Sequence, residues 1–226
     1  DSSNFPTTPG SFQPTFGGIR DGFLLKLDAT GTQVVYSTLI GGNNWDEAFD
    51  VAVDMFGHAF VVGRTSSKEG TFPVTDGAWT TEKRNTAGFV AKFGPNGDAL
   101  VYSTFVGGND YESLYSIDLD QAGHAYVAGA TADRFAIPTI NGIPGIEGDF
   151  GANIFAKLRQ DGSGALTFFP FGGTGIEQSN AIAVDTACQA YITGATRAQD
   201  FPIANAFQSV SLSPVGFDDV FVMKID

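Results

Sequence analysis

The chain repeats itself about every 66 residues, and nothing else in it limits the possible folds so strongly. Lys26, Lys92, Lys157 and Lys224 are spaced by 66, 65 and 67 residues. The pairs Gly41-Gly42, Gly107-Gly108 and Gly172-Gly173 keep the same step, as do Asp54, Asp120 and Asp185, and then Gly63, Gly129 and Gly194. Four independent landmarks in one register mark a tandem repeat, and a repeat architecture is the first thing such a chain must be read for.

Within a unit the pattern is that of short strands. Phe23 to Asp28 and Val34 to Ile40 are apolar runs separated by a turn at Gly31. Phe49 to Asp54 alternates apolar and polar, as a strand with one buried face does. A turn at Phe56-Gly57 leads into Ala59 to Gly63, too short and too β-branched for a helix. Arg64 to Thr86 then reads as a long ordered connection carrying Phe72-Pro73 and Trp79. The second unit follows the first closely. The third departs at Thr167-Phe168-Phe169-Pro170, where a proline that cannot donate to a ladder predicts a strand that lies at an edge or stops there. The expectation is an all-β chain of twelve or thirteen strands in β-propeller-type, four-stranded antiparallel blades. The repeats are drawn at 21–86, 87–151 and 152–217. Residues 1–20 match the tail of a preceding repeat and 218–226 the first strand of a following one.

Two strings carry a resemblance. Leu100 to Gly108, Leu-Val-Tyr-Ser-Thr-Phe-Val-Gly-Gly, and the Val-Asp-x-x-Gly-x-Ala-x-Val-x-Gly pattern from Val53 to Gly63 resemble the bacterial β-propeller repeat known as SBBP. Asp200-Phe201-Pro202-Ile203 and Asn4-Phe5-Pro6-Thr7 are similar to the Asp-Phe-Pro-Thr-Thr segment of that family. The resemblance covers nearly the whole chain. It implies a repeat-built protein that is secreted or on the cell surface, and it implies no particular activity.

Composition narrows the function. With 25 acidic against 12 basic side chains and a net charge of −13, the chain lacks the basic stripe that neutralises phosphates, so no nucleic-acid partner is expected. Cys188 is the only cysteine, which excludes an internal disulfide and a cysteine-based zinc site. His58 and His124 are too few for a zinc held by three histidines. No run approaches the roughly 18 apolar residues of a membrane-spanning helix.

Candidate sites gather after each glycine pair. Asp46, Glu112 and Glu177 place one carboxylate per repeat, and Asn43, Asn44, Asn109 and Asp110 add oxygens beside the first two. Such loops either cap their own turns or, with Asp46, Asp110, Glu112 and Glu177 as ligands, hold Ca²⁺, the one cofactor these residues suggest. Trp45 and Tyr111 occupy matching positions, with Ile176 in the third repeat. As exposed aromatics beside Asn43, Asn44 and Asn109 they would stack on a sugar ring; otherwise they pack over a sheet edge. The repeated Asp54, Asp120 and Asp185 are expected to bond the amides of the following turn. The repeated lysines are expected to lay their stems on apolar neighbours and pair with those aspartates. There is no Gly-x-Ser-x-Gly elbow, phosphate-cradling loop or His-Glu-x-x-His motif.

Three complete repeats with a partial one at each end leave two readings of the ends. The chain is a piece of a longer propeller protein, or copies of it join end to end through residues 219–226, a heterologous contact. For function, the sequence favours a non-enzymatic scaffold for adhesion, protein–protein interaction or surface assembly. The alternatives are a glycan-binding, lectin-like module and, third, a propeller hydrolase or lyase.

Overall fold

The computed structural model describes residues 4–107, 110–148, 151–211 and 213–226. Among the described residues thirteen strands form: β1 Gly22–Leu27, β2 Val34–Ile40, β3 Asp46–Val53, β4 Ala59–Thr65, β5 Ala87–Phe93, β6 Leu100–Val106, β7 Glu112–Leu119, β8 Ala125–Thr131, β9 Asn153–Leu158, β10 Ala165–Phe171, β11 Glu177–Val184, β12 Ala190–Thr196 and β13 Asp219–Ile225. Among the described residues the only helical element is a single 3-10 turn, Arg134–Ala136. No helix there is long and apolar enough to cross a membrane.

The strands pair antiparallel into four sheets: β1-β2, β3-β4-β5-β6, β7-β8-β9-β10 and β11-β12-β13. These sheets are out of phase with the repeats drawn at 21–86, 87–151 and 152–217. Each full sheet joins the last two strands of one repeat to the first two of the next. The long connection 66–86, which looks like a seam in sequence, is a wide hairpin closed by Thr65 opposite Ala87. The short loops at Gly41-Gly42 and Gly172-Gly173 pass from one sheet to the next.

The sheets pack in series, β7 on β3, β4 and β5, and β11 on β7, β8 and β9. Alternation along a strand then feeds two cores. Phe60 and Val62 point into the core shared with Leu114, Ile117, Val127 and Phe168. Ala59 and Val61 point the other way, to Leu24, Tyr36 and Ile40. A third core joins Tyr126, Phe155 and Phe171 to Ile192, Phe221 and Ile225. Burial on both faces explains the near-continuous apolar runs of β4, β5 and β8. Each fully buried Phe contributes roughly 1.5–3 kcal/mol.

Local devices recur in register. β3, β7 and β11 carry a bulge after Ala48, Leu114 and Ser179 respectively. Gly63, Gly129 and Gly194 lie opposite, where a Cβ would come within 1.8–2.1 Å of the carbonyls of Glu47, Ser113 and Gln178. That close approach accounts for one of the four sequence landmarks. The outer strands are shielded as well: Gln13, Thr80 and Ile140 accept from amides of β2, β6 and β10, which covers edges that would otherwise recruit another chain. Pro170 lies on β10, an outer strand, as its missing donor requires.

On β3 the sequence reading is corrected. Phe49, Val51 and Val53, taken as the buried face, are 40–63% exposed. The equivalent Ile117 and Ile182 are buried because a preceding four-stranded sheet packs over each of them. The first sheet contains β1 and β2 alone, so nothing covers Val51 in the same way.

Candidate functional site

The carboxylates Asp46, Glu112 and Glu177 begin β3, β7 and β11 and are almost wholly buried. Each starts its strand by donating its amide to the carbonyl of a residue that leads into an earlier strand: Arg20 before β1, Thr86 before β5 and Gly151 before β9. The Asp46 carboxylate accepts from the Gly42 amide and the Ser67 hydroxyl, both at 2.7 Å. Glu112 accepts from Thr131, and Glu177 from Thr196 and the amides of Gly173 and Gly175. The first glycine of the pair makes room, since a Cβ on Gly107 or Gly172 would lie 2.5 or 2.4 Å from the side chain of Glu112 or Glu177. Asp46 and Glu177 therefore latch the loops that cross between sheets, while Glu112 ties the start of β7 to the end of β8 through Thr131. Burial pushes the Glu177 carboxyl up to about 7 against the opposing amides.

The three carboxylates lie on separate sheets. Among the described residues, no three His, Cys, Asp or Glu side chains gather into a group that could hold a metal ion. Asp110 is half-buried at the start of the Tyr111 loop, and Asn109 lies outside the described residues. Asn43 and Asn44 are engaged by the protein itself. Asn43 accepts from the Lys68 amide and the Thr71 hydroxyl, and Asn44 donates to the Ser66 carbonyl and, from its amide, to the Ser67 hydroxyl.

Trp45 and Tyr111 both reach solvent, at 44% and 59% exposure. Their carbonyls accept the amides of Ser66 and Ala132, so the backbone under each ring is fixed. The Arg20 guanidinium lies 4.6 Å from the Trp45 ring centre and is ion-paired to Glu47. Glu47 also binds Arg64 at 2.7 Å.

Two surface cavities adjoin these loops. One, of about 340 Å³, lies over β3 between Phe5, Phe16, Phe23 and Phe49, with Asp21 and Asp46 at its floor. Burial raises the Asp21 carboxyl, and the nearby Asp46 adds to it, against the Gly17 amide. It adjoins the same uncovered face of β3 that leaves Val51 exposed. The other, of about 370 Å³, opens between the 66–69 and 83–86 segments and Tyr111. Sequence reasoning missed its lysines and arginine, which belong to the long connection and follow no repeat.

The recurring turn residues behave as expected. Asp54 accepts from the amides of Phe56 and His58, Asp120 from those of Ala122 and His124, and Asp185 from those of Ala187 and Gln189. Each histidine ring also bonds its aspartate, His58 at 2.8 Å and His124 at 2.9 Å. Burial opposes ionisation of Asp54 and Asp120, but the amides and histidines outweigh it and hold both below the usual range. Lys92 and Lys157 reach these aspartates at 3.6 and 3.4 Å, lying over Phe60 and Tyr126 on the way.

Compared with protein-family models and with curated proteins, the chain matches none.

Proposed function

We propose that the chain is a non-enzymatic scaffold of β-propeller type, secreted or on the cell surface, that presents its inter-sheet loops for recognition. The observation that carries this reading is the recurring burial of these carboxylates against groups of the protein itself. The buried carboxylates that would be the obvious reactive groups recur once per repeat, and each is bonded to loop amides or to a neighbouring hydroxyl. The resemblance of Leu100 to Gly108 and Val53 to Gly63 to the SBBP repeat, and the serial packing of antiparallel sheets, support the architecture and location.

A second reading, glycan recognition, is favoured by the exposure of Trp45 and Tyr111 on fixed loops. One experiment separates these from an enzyme. The chain is incubated with a panel of soluble polysaccharides, and both retention on each polymer and release of new chain ends are measured. Retention without new ends supports recognition, and neither supports a scaffold for protein partners. New chain ends formed in proportion to protein would overturn the non-enzymatic reading.

A further inference from the structure

Trp45 and Tyr111 are equivalent in the repeat, yet one position in register changes their surroundings. Arg20 and Thr86 play the same backbone role, accepting the amides of Asp46 and Glu112 at 2.8 and 3.1 Å. Arg20 covers Trp45 with a cation that Glu47 already neutralises. Thr86 is too short to reach across, so Tyr111 stays open at the rim of the cleft lined by Ser66, Lys68, Glu69, Lys83 and Arg84.

The charge of that cleft runs against the rest of the molecule. Of only 12 basic residues in a chain with 25 acidic ones, three line it. Lys83 donates to the Asn85 carbonyl at 2.8 Å and is balanced in part by Asp46 and Glu69. Lys68 and Arg84 have no ion-pair partner among the described residues. Gathered cations repel one another unless an anion sits among them. The 66–68 segment is held by Asn43, Asn44 and Asp46, so the wall that carries Lys68 is formed in advance and adds little ordering cost to binding. In the next repeat Ile176 stands where Tyr111 does, which makes the combination of ring and cations unique to one place.

We propose that this cleft binds an acidic sugar residue, its ring against Tyr111 and its carboxylate or sulfate among Lys68, Lys83 and Arg84. The inference rests on the glycan-recognition reading and gives it a substrate class. A guanidinium pairs two-pronged with a carboxylate or sulfate, and Glu69 and Ser66 supply partners for ring hydroxyls. At physiological salt the screening length is about 8 Å. The distant acidic surface is therefore damped, while the cations in the cleft act at contact range.

The test is titration calorimetry with an oligogalacturonate, a sulfated oligosaccharide and a neutral oligosaccharide of equal length. The proteins are the wild type, Lys68→Gln/Arg84→Gln, Tyr111→Ala and Trp45→Ala, with circular dichroism and melting temperature confirming that each variant folds. The expected result is binding of one acidic ligand, weakened about tenfold or more by the charge pair and by Tyr111→Ala, and unchanged by Trp45→Ala. Whether the carboxylated or the sulfated ligand binds identifies the acid group. Binding of the neutral ligand alone, or loss only in Trp45→Ala, overturns this cleft and leaves glycan recognition standing. Binding of none overturns both.

Discussion

The carboxylate of Asp50 accepts the hydroxyl of Ser116 at 2.8 Å, joining β3 to β7 across 66 residues of sequence. The same carboxylate takes the Ile117 amide at 2.9 Å, and the Ser116 oxygen in turn receives the Ile182 amide of β11 at 3.2 Å. Two side chains thus lace three sheets at their bulged strands, and Asp118 repeats the device toward the Val184 amide. Asp50→Ala strands the Ile117 amide and the Ser116 hydroxyl, and should cost roughly 1–3 kcal/mol in urea unfolding. A cycle with Ser116→Ala should show a coupling of about 0.5–3 kcal/mol. Simple additivity would mean that the lacing contributes nothing beyond packing.

Glu177 should make stability fall as pH rises. Its carboxyl is raised by burial to about 7 in the folded chain, against 4.5 for a free side chain. Below 4.5 both states are protonated and no penalty exists. Between 4.5 and 7 the unfolded chain ionises first, so the folded state loses ground, and above 7 the loss is complete. Glu177→Gln should flatten this segment of the urea-midpoint profile, with a gain at pH 8 relative to pH 4.5 of roughly 2–3 kcal/mol. A wild-type profile rising through the same window would refute the shift.

Cys188 adopts a left-handed φ of 64° where the equivalent turns have Gly57 at 85° and Gly123 at 84°. All three make the same turn bond, to Asp185, Asp54 and Asp120. A side chain there costs about 1–2 kcal/mol, and glycine returns part of that as unfolded-chain entropy. Cys188→Gly should therefore raise the melting temperature by about 1–4 °C, and Gly123→Ala should lower it.

Chelation tests whether the buried carboxylates serve calcium or the loops. A native-state Ca²⁺ site at a hundredfold excess of ion contributes about 2.7 kcal/mol, or about 5–10 °C in a chain of this size. The latch geometry leads us to expect a shift under about 1 °C with a strong chelator. Asp46→Ala should nonetheless destabilise markedly, because the Gly42 amide and the Ser67 hydroxyl lose their shared acceptor.

Much of this architecture was legible in the sequence, for reasons that differ by residue. Turn chemistry is local, so Asp54, Asp120 and Asp185 announced their hydrogen bonds, and the lysine spacing announced the period. The phase of the sheets was not legible, because a periodic string looks the same wherever it is cut. Only the pairing of Thr65 with Ala87 decides it. Burial of Asp46, Glu112 and Glu177 was hidden too, since a carboxylate on a loop reads as exposed until its amide partners are seen. Lys68, Lys83 and Arg84 are scattered through one irregular connection, and no spacing rule assembles them.

The half-unit offset between repeat and sheet governs how the molecule bears load. Cutting between complete repeats, at 86/87 or 151/152, divides a four-stranded sheet down its middle, so no repeat can peel away as a finished piece. A pull along the chain would have to unzip two strands from two more that belong to the neighbouring repeat, and the force at each joint would be shared by the ladders on either side. Successive repeats overlap like courses of brickwork, and the joint is no weaker than the course.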